Sequence, residues 1–249
     1  MLRMLKWRVM RVYSIDWYEN RERVLNQIIE ELKSAESGES CDEKEDKALY
    51  VFDDAKIKSS GISDDVARNK AMKPYKESNI SVVVDKDAFN PYLERNVSIV
   101  KRILKVEQPA TEGYLCKRFA KVIGFGHAGA NVQRAVSYAL SGLYRDPLSV
   151  DGVYSYWLDA ESAKDYKSYR APSPRSITEI PAIEIANAIK EVVEEEFSLP
   201  KDKIPTIAAR KLGFSSAGAK INEVISAVLA KLEKSSAVVV SNGSVSLKN

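Results

Sequence analysis

The stretch from Asn96 to the C-terminus contains one pattern written twice, 89 positions apart. Gly124-Phe125-x-x-Ala128-Gly129-Ala130 returns as Gly213-Phe214-x-x-Ala217-Gly218-Ala219 without a gap. Ala120 falls on Ala209, Ser137 on Ser226, Leu140 on Leu229 and Leu143 on Leu232. The apolar class is kept at Ile123/Leu212, Val132/Ile221, Val136/Ile225 and Ala139/Val228. Repeated apolar positions demand the same packing twice, so this part of the chain has to fold as two similar units.

Each copy has the same local grammar. In copy one, Val97, Val100, Ile103 and Leu104 make a helical stripe that ends near Pro109. Thr111 is a good N-cap for a second helix, with Leu115, Phe119, Val122 and Ile123 inward. Gly124-Phe125-Gly126 breaks it, and a third helix is predicted over residues 128–144. Residues 148–157 read as a hairpin around the type I′ signal Asp151-Gly152. In copy two the helices run from Ile183 to Phe197, Ile204 to Leu212 and Ala217 to Leu232, and the hairpin carries Asn242-Gly243. Glycine permits the left-handed end of the second helix. Helix, helix, turn, helix, hairpin is the order of a winged helix. Ala171-Pro172-Ser173-Pro174-Arg175 between the copies reads as a stiff extended linker.

The first 33 residues look like the end of something larger. Residues 7–13 alternate as a strand, Asn20 is a plausible cap, and Val24, Ile28, Ile29 and Leu32 form one side of a helix. A lone strand and helix cannot bury both faces of a sheet. Residues 34–47 are rich in Glu, Ser and Asp, a linker composition. Residues 48–95 carry two short apolar runs, Leu49-Tyr50-Val51-Phe52 and Ile80-Ser81-Val82-Val83-Val84. They read as an irregular connector with one or two weak strands.

Composition excludes more than it assigns. The formal net charge of +3 is too small to imply nucleic-acid binding, so any electrostatic case must be local. Cys41 and Cys116 share no spacing pattern, which fits a reducing cytoplasm. The N-terminal residues interrupt their apolar content with charge, unlike a signal peptide, and no apolar run approaches a membrane span. With His127 the only histidine, and no phosphate-binding glycine loop or zinc spacing, most catalytic constellations are excluded. Asp16, Trp17 and Glu19 alone make a weak acidic site.

The local case lies in copy one. In a DNA-binding helix-turn-helix the later helix presents its outward stripe to the major groove. Here that stripe is His127, Asn131, Arg134 and Tyr138, preceded by Lys117, Arg118 and Lys121. Asn and Arg pair with base edges, and Arg clamps phosphate. Residues 96–158 hold eight Lys and Arg against four Asp and Glu. The matching stripe in copy two is Ser216, Lys220, Glu223 and Ala227, and its first helix carries Glu191, Glu194, Glu195 and Glu196, a face that repels phosphate. A solvated surface accounts for the same basic residues, and winged helices also serve as protein-interaction modules.

These motifs resemble a family. Gly124-Phe125-x-x-Ala-Gly-Ala-x-Val, Tyr156-Trp157 after the hairpin, and Ile180-Pro181-x-Ile-Glu184-Ile-Ala186 before the second Gly-Phe motif look like the C-terminal domain of unknown function of large bacterial superfamily 1 helicases. The likeness spans roughly Pro74 to the end. Trp7-Arg8-Val9-x-Arg11-Val12-Tyr13-Ser14-x-Asp16-Trp17 resembles the last strand and helix of the Vsr-like nuclease domain that precedes it in that family. Leu158 departs from the family, which often has Pro there, and the acidic insert at 34–47 is local. The resemblance implies that the helicase motifs and the acidic nuclease residues belong upstream of Trp7, in a truncated or split protein.

The expectation is therefore a mainly α chain with small β-hairpins. It divides into a strand-helix remnant (1–33), an acidic linker and connector (34–95), winged-helix-like repeat 1 (96–158), a linker (159–180) and winged-helix-like repeat 2 (181–249). The expected role is a non-catalytic accessory module of a helicase/nuclease-type protein, cytoplasmic, without cofactor, metal or membrane partner. It would contact DNA or RNA through repeat 1 and associate with a helicase/nuclease chain encoded nearby. The alternatives are a protein-interaction module docking onto a helicase or other partner, and a decayed gene fragment.

Overall fold

A computed structural model describes residues 12, 21–36, 71–196, 199–241 and 243–247. The expected strand at 7–13 (Val12 apart), the Asn20 cap, the Asp16/Trp17/Glu19 group, Cys41 and the run at 49–52 lie outside them. The chain divides into two compact units, Met1–Gly61 and Ile62–Asn249. In the first, α1 (Arg21–Glu36) buries Val24 but leaves Ile29 and Leu32 exposed. It runs three residues into the stretch read as acidic linker.

The second unit is mainly helical with small sheets, and the duplication is visible in its topology. Copy one runs α2 (Glu94–Glu107), β2 (Ala110–Thr111), α3 (Glu112–Val122), α4 (Ala130–Leu140), β3 (Tyr144–Arg145) and β4 (Ser155–Trp157). Copy two runs α6 (Ala182–Glu196), β6 (Leu199–Pro200), α7 (Ile204–Lys211), α8 (Ala219–Lys234), β7 (Val238–Ser241) and β8 (Ser244–Leu247). Both sheets are antiparallel, with the last strand in the middle: β2-β4-β3 and β6-β8-β7. Even the register repeats. Thr111 pairs with Ser155 and Pro200 with Ser244, each 89 positions apart.

The turns repeat atom by atom. Gly124 and Gly213 take left-handed φ values of 72° and 92°. The amide of Phe125 donates to Ala120 O at 2.8 Å and that of Phe214 to Ala209 O at 3.0 Å, the long bond of a Schellman cap. The side-chain amide of Gln133 caps Ala128 O, and that of Asn222 caps Ala217 O. The copies diverge after this point. Helix α4 has 11 residues and α8 has 16. The expected helix end at 144 is a strand, because Ser141-Gly142 stops α4 early. Asp151-Gly152 does form the expected turn, with φ of 51° and 75°, but β4 pairs with Tyr144–Arg145 rather than with the residues just before the turn. The shorter helix and longer loop of copy one compensate each other, which restores the offset at the final strand.

The described parts of both connecting segments pack against this unit. Residues 80–84 alternate as an extended segment: Ile80, Val82 and Val84 pack on the copy-one core while Val83 is exposed. No ladder forms there, and a single bond from Val82 N to Val122 O (2.8 Å) anchors it. β1 (Met72–Lys73) pairs in parallel with β5 (Tyr169–Arg170) from the inter-copy segment. That segment also holds α5 (Ala160–Lys164) and a 3₁₀ turn (Ile177–Glu179). The stretch expected to be an extended linker is thus a packed seam in which Tyr169, Arg170, Ala171 and Arg175 are buried.

The seam is held by charge. Glu184, in the first turn of α6, is completely buried between Arg170 and Arg175. Arg175 Nη2 reaches its Oε2 at 3.0 Å, and Arg170 Nε reaches Oε1 at 3.0 Å. Arg170 also donates to the carbonyls of Glu107 (2.7 Å) and Pro109 at the C-terminal end of α2, where a cation is favoured. One guanidinium therefore clamps copy one to copy two. A second buried set lies beside it. Glu107 accepts from Arg118 Nη2 (2.8 Å), Ser78 N (2.8 Å) and the Tyr114 hydroxyl. The rings of Tyr75 and Tyr114 lie against Arg175.

Burial raises the pKa of both carboxyls, but for Glu107 the hydrogen bonds from Arg118, Ser78 and Tyr114 outweigh it, and for Glu184 the two arginines do. Both lie below the ordinary value of 4.5 in the folded chain. Their contribution to stability is complete above the unfolded value and is lost as pH falls through the lower folded values. Thermal melts should show a plateau above about pH 5 and a falling Tm below about pH 4.5. A Tm unchanged down to about pH 3 would contradict this pairing. Among the described residues no helix is long and apolar enough to cross a membrane.

Candidate nucleic-acid interface

Helix α4 is amphipathic because its apolar residues recur at helical spacing. Val132, Ala135, Val136, Ala139 and Leu140 face the core formed with α2 and α3. What remains outside is Ala130, Asn131, Gln133, Arg134, Ser137 and Tyr138. This exposed face carries no carboxylate. Arg134 Nη1 donates to Asn131 Oδ1 at 2.9 Å, so the guanidinium is steadied by its neighbour one turn back. Tyr138 stands edge-on to Tyr92, with ring centroids 5.6 Å apart and planes at 87°. Both rings are exposed, a pair of aromatic surfaces at the edge of the helix.

The α3–α4 turn forms the other part of the site. Lys117, Ala120, Lys121, Gly124, Phe125, Gly126, His127 and Ala128 line an open cleft of about 430 Å³. The turn therefore brings Lys117, Lys121 and His127 together. Both lysines already face carboxylates: Lys117 meets Glu179, and Lys121 meets Glu77 at 3.2 Å. Both lysine side chains are largely exposed; Glu77 is 36% exposed and its pair is weakly held, whereas Glu179 is only 12% exposed and holds Lys117 more firmly.

Arg118 does not belong to the surface. It is 5% exposed and committed to Glu107, Ser78 and Glu77. The spacing carried a signal for this. Arg118 lies four residues from Tyr114, three from Leu115 and four from Val122, on the buried stripe of α3. Glu191 is a similar case. Read as part of a phosphate-repelling face, it is buried and accepts from Ala71 N (3.0 Å) and the Tyr169 hydroxyl (2.6 Å). Glu194 and Glu195 are exposed, and Glu195 meets Lys211 at 2.7 Å. Cys116 faces inward; burial, with Glu112 nearby, pushes its thiol up to about 11.

In copy two the equivalent helix face is mixed. Lys220 and Glu223 hold the places of Asn131 and Arg134 and pair with each other at 3.1 Å. The scaffold is thus repeated while the chemistry on the outer face is not. Comparison of the chain with protein-family models, with curated proteins and with solved structures finds no match.

Proposed function

We propose that this chain is a non-catalytic accessory module of a helicase/nuclease-type protein, built from two winged-helix-like units, and that it contacts DNA or RNA through α4 of copy one. The carboxylate-free outer face of α4 carries this reading. A helix of this size fits the major groove, where Asn131 offers an amide to base edges and Arg134 offers a fork to guanine or phosphate. The order helix, strand, helix, helix, strand, strand, with the last strand central, supports assigning α4 the place of a recognition helix and β3–β4 the place of a wing. With Arg118 committed to the interior, the site contracts to α4 and its turn.

Fluorescence anisotropy with a duplex and a single-stranded oligonucleotide tests it. Binding should appear at about 50 mM salt and weaken steeply by about 200 mM. Arg134→Ala should reduce affinity roughly 10-fold, the loss of one good contact, with an unchanged melting temperature. No binding at about 50 mM salt would remove the proposal. The rival reading, docking onto a partner protein, is favoured by the pairing of Lys117 and Lys121 with carboxylates, which leaves those cations suited to acidic side chains.

A further inference from the structure

Helices α3 and α7 end in the same left-handed glycine, but the space beside that glycine differs. In copy two the chain fills it. A Cβ on Gly213 would lie 3.0 Å from Pro172 Cα and 3.1 Å from Pro172 Cβ. In copy one nothing lies within 4 Å of the same position on Gly124, and the open cleft begins there. The floor is shared: Ala120, Phe125 and Ala128 match Ala209, Phe214 and Ala217. A peptide segment thus touches the copy-two turn at this glycine, and none touches the same point in copy one.

We infer that the copy-one cleft docks a proline-containing acidic segment of a partner protein, set against Gly124 as Pro172-Ser173 is set against Gly213 in copy two. Proline suits the site because its ring already restricts the backbone, so less freedom is lost on binding. Gly124, lacking a side chain, lets that backbone approach as Gly213 does. The acidic preference follows from the rim. Lys117 and His127 stand where copy two has Thr206 and Ser216, while Lys121 keeps the cation that copy two has as Arg210. Glu179 and Glu77 already place carboxylates against those lysines, and the exposed sides of the ammonium groups can take a partner's acidic side chains beside them. A nucleic-acid strand also carries negative charge, but the occupant seen in copy two is peptide.

The full chain labelled with ¹⁵N would be titrated with the peptide acetyl-Glu-Asp-Ala-Pro-Ser-Asp-Glu-amide. Saturable shifts are expected at the amides of Gly124, Phe125, Gly126 and His127, with Kd of about 1 mM or tighter. Exchanging the peptide's proline for alanine should weaken binding at least roughly 5-fold. Gly126→Trp should abolish it. Gly126 lies outside the left-handed region and a Cβ there meets nothing within 4 Å, so the variant fills the cleft without strain. Unmoved copy-two resonances would confirm that its fold is kept. The inference is overturned if these amides stay still at about 5 mM peptide, if their shifts survive Gly126→Trp, or if a single-stranded oligonucleotide moves them and the peptide does not.

Discussion

Glu184→Ala should be among the most destabilising single substitutions in this chain, costing about 5 kcal/mol, the upper end of what breaking a buried ion pair costs. The reason is stoichiometric. One completely buried carboxylate serves two guanidiniums, and the side chains of Arg170 and Arg175 are only 8% and 1% exposed. Removing it leaves two cations without a counter-charge in a place water does not reach. Arg170 would keep the carbonyls of Glu107 and Pro109, which lessens its loss, whereas Arg175 would keep Ser173, the Arg170 carbonyl and the faces of Tyr75 and Tyr114. For a unit of this size the Tm should fall by roughly 10–20 °C. The contrast is Glu223→Ala, which removes an exposed pair with Lys220 and should cost about 0.5 kcal/mol or less. Parallel denaturant melts measure both. A loss below about 1 kcal/mol for Glu184→Ala would mean that the seam between the copies is not held by this carboxylate.

The seam also explains what the sequence could and could not tell. The turns were legible because their determinants are local. A left-handed glycine, the following Phe and a small-residue helix start act within a few positions, so a gap-free repeat of those letters translates into repeated geometry. The buried polar set was not legible in the same way. Glu107, Arg118 and Ser78 come together across separations of 11 and 40 residues, and Arg170 meets Glu184 across 14. Whether a charge on a helix is solvated or interior depends on which distant partner neutralises it, and no local period encodes that choice. The apolar spacing around Arg118 was the one local clue. The inter-copy segment was misjudged for a related reason. Its prolines suggest an extended backbone, but the segment bends against a surface built from distant residues that no local pattern encodes.

Gly213→Ala and Gly124→Ala should differ sharply, although both replace the same residue in the same cap. Each puts a side chain on a left-handed backbone, at φ of 92° and 72°, which costs about 1–2 kcal/mol. For Gly124 the cost ends there, since the new methyl points into open space. At Gly213 the methyl would sit 3.0 Å from Pro172 Cα, tighter than nearly all such carbon contacts, so the neighbour must give by a few tenths of an ångström. The obstacle is backbone, so it cannot rotate aside; either α7 or the 171–175 segment must move. Overpacking of this kind adds about 1–3 kcal/mol, giving a total near 3 kcal/mol or more. Displacing the segment would also disturb Ala171 and Arg175, which ties this glycine to the carboxylate seam. Urea midpoints for the two variants provide the measurement, with Gly213→Ala expected to lose at least about twice the stability that Gly124→Ala loses. Equal losses would show that Pro172 is not seated against the copy-two turn. They would also withdraw the internal precedent for a peptide in the copy-one cleft, so this pair of alanines bears on how the two copies came to differ as well as on how each one is capped.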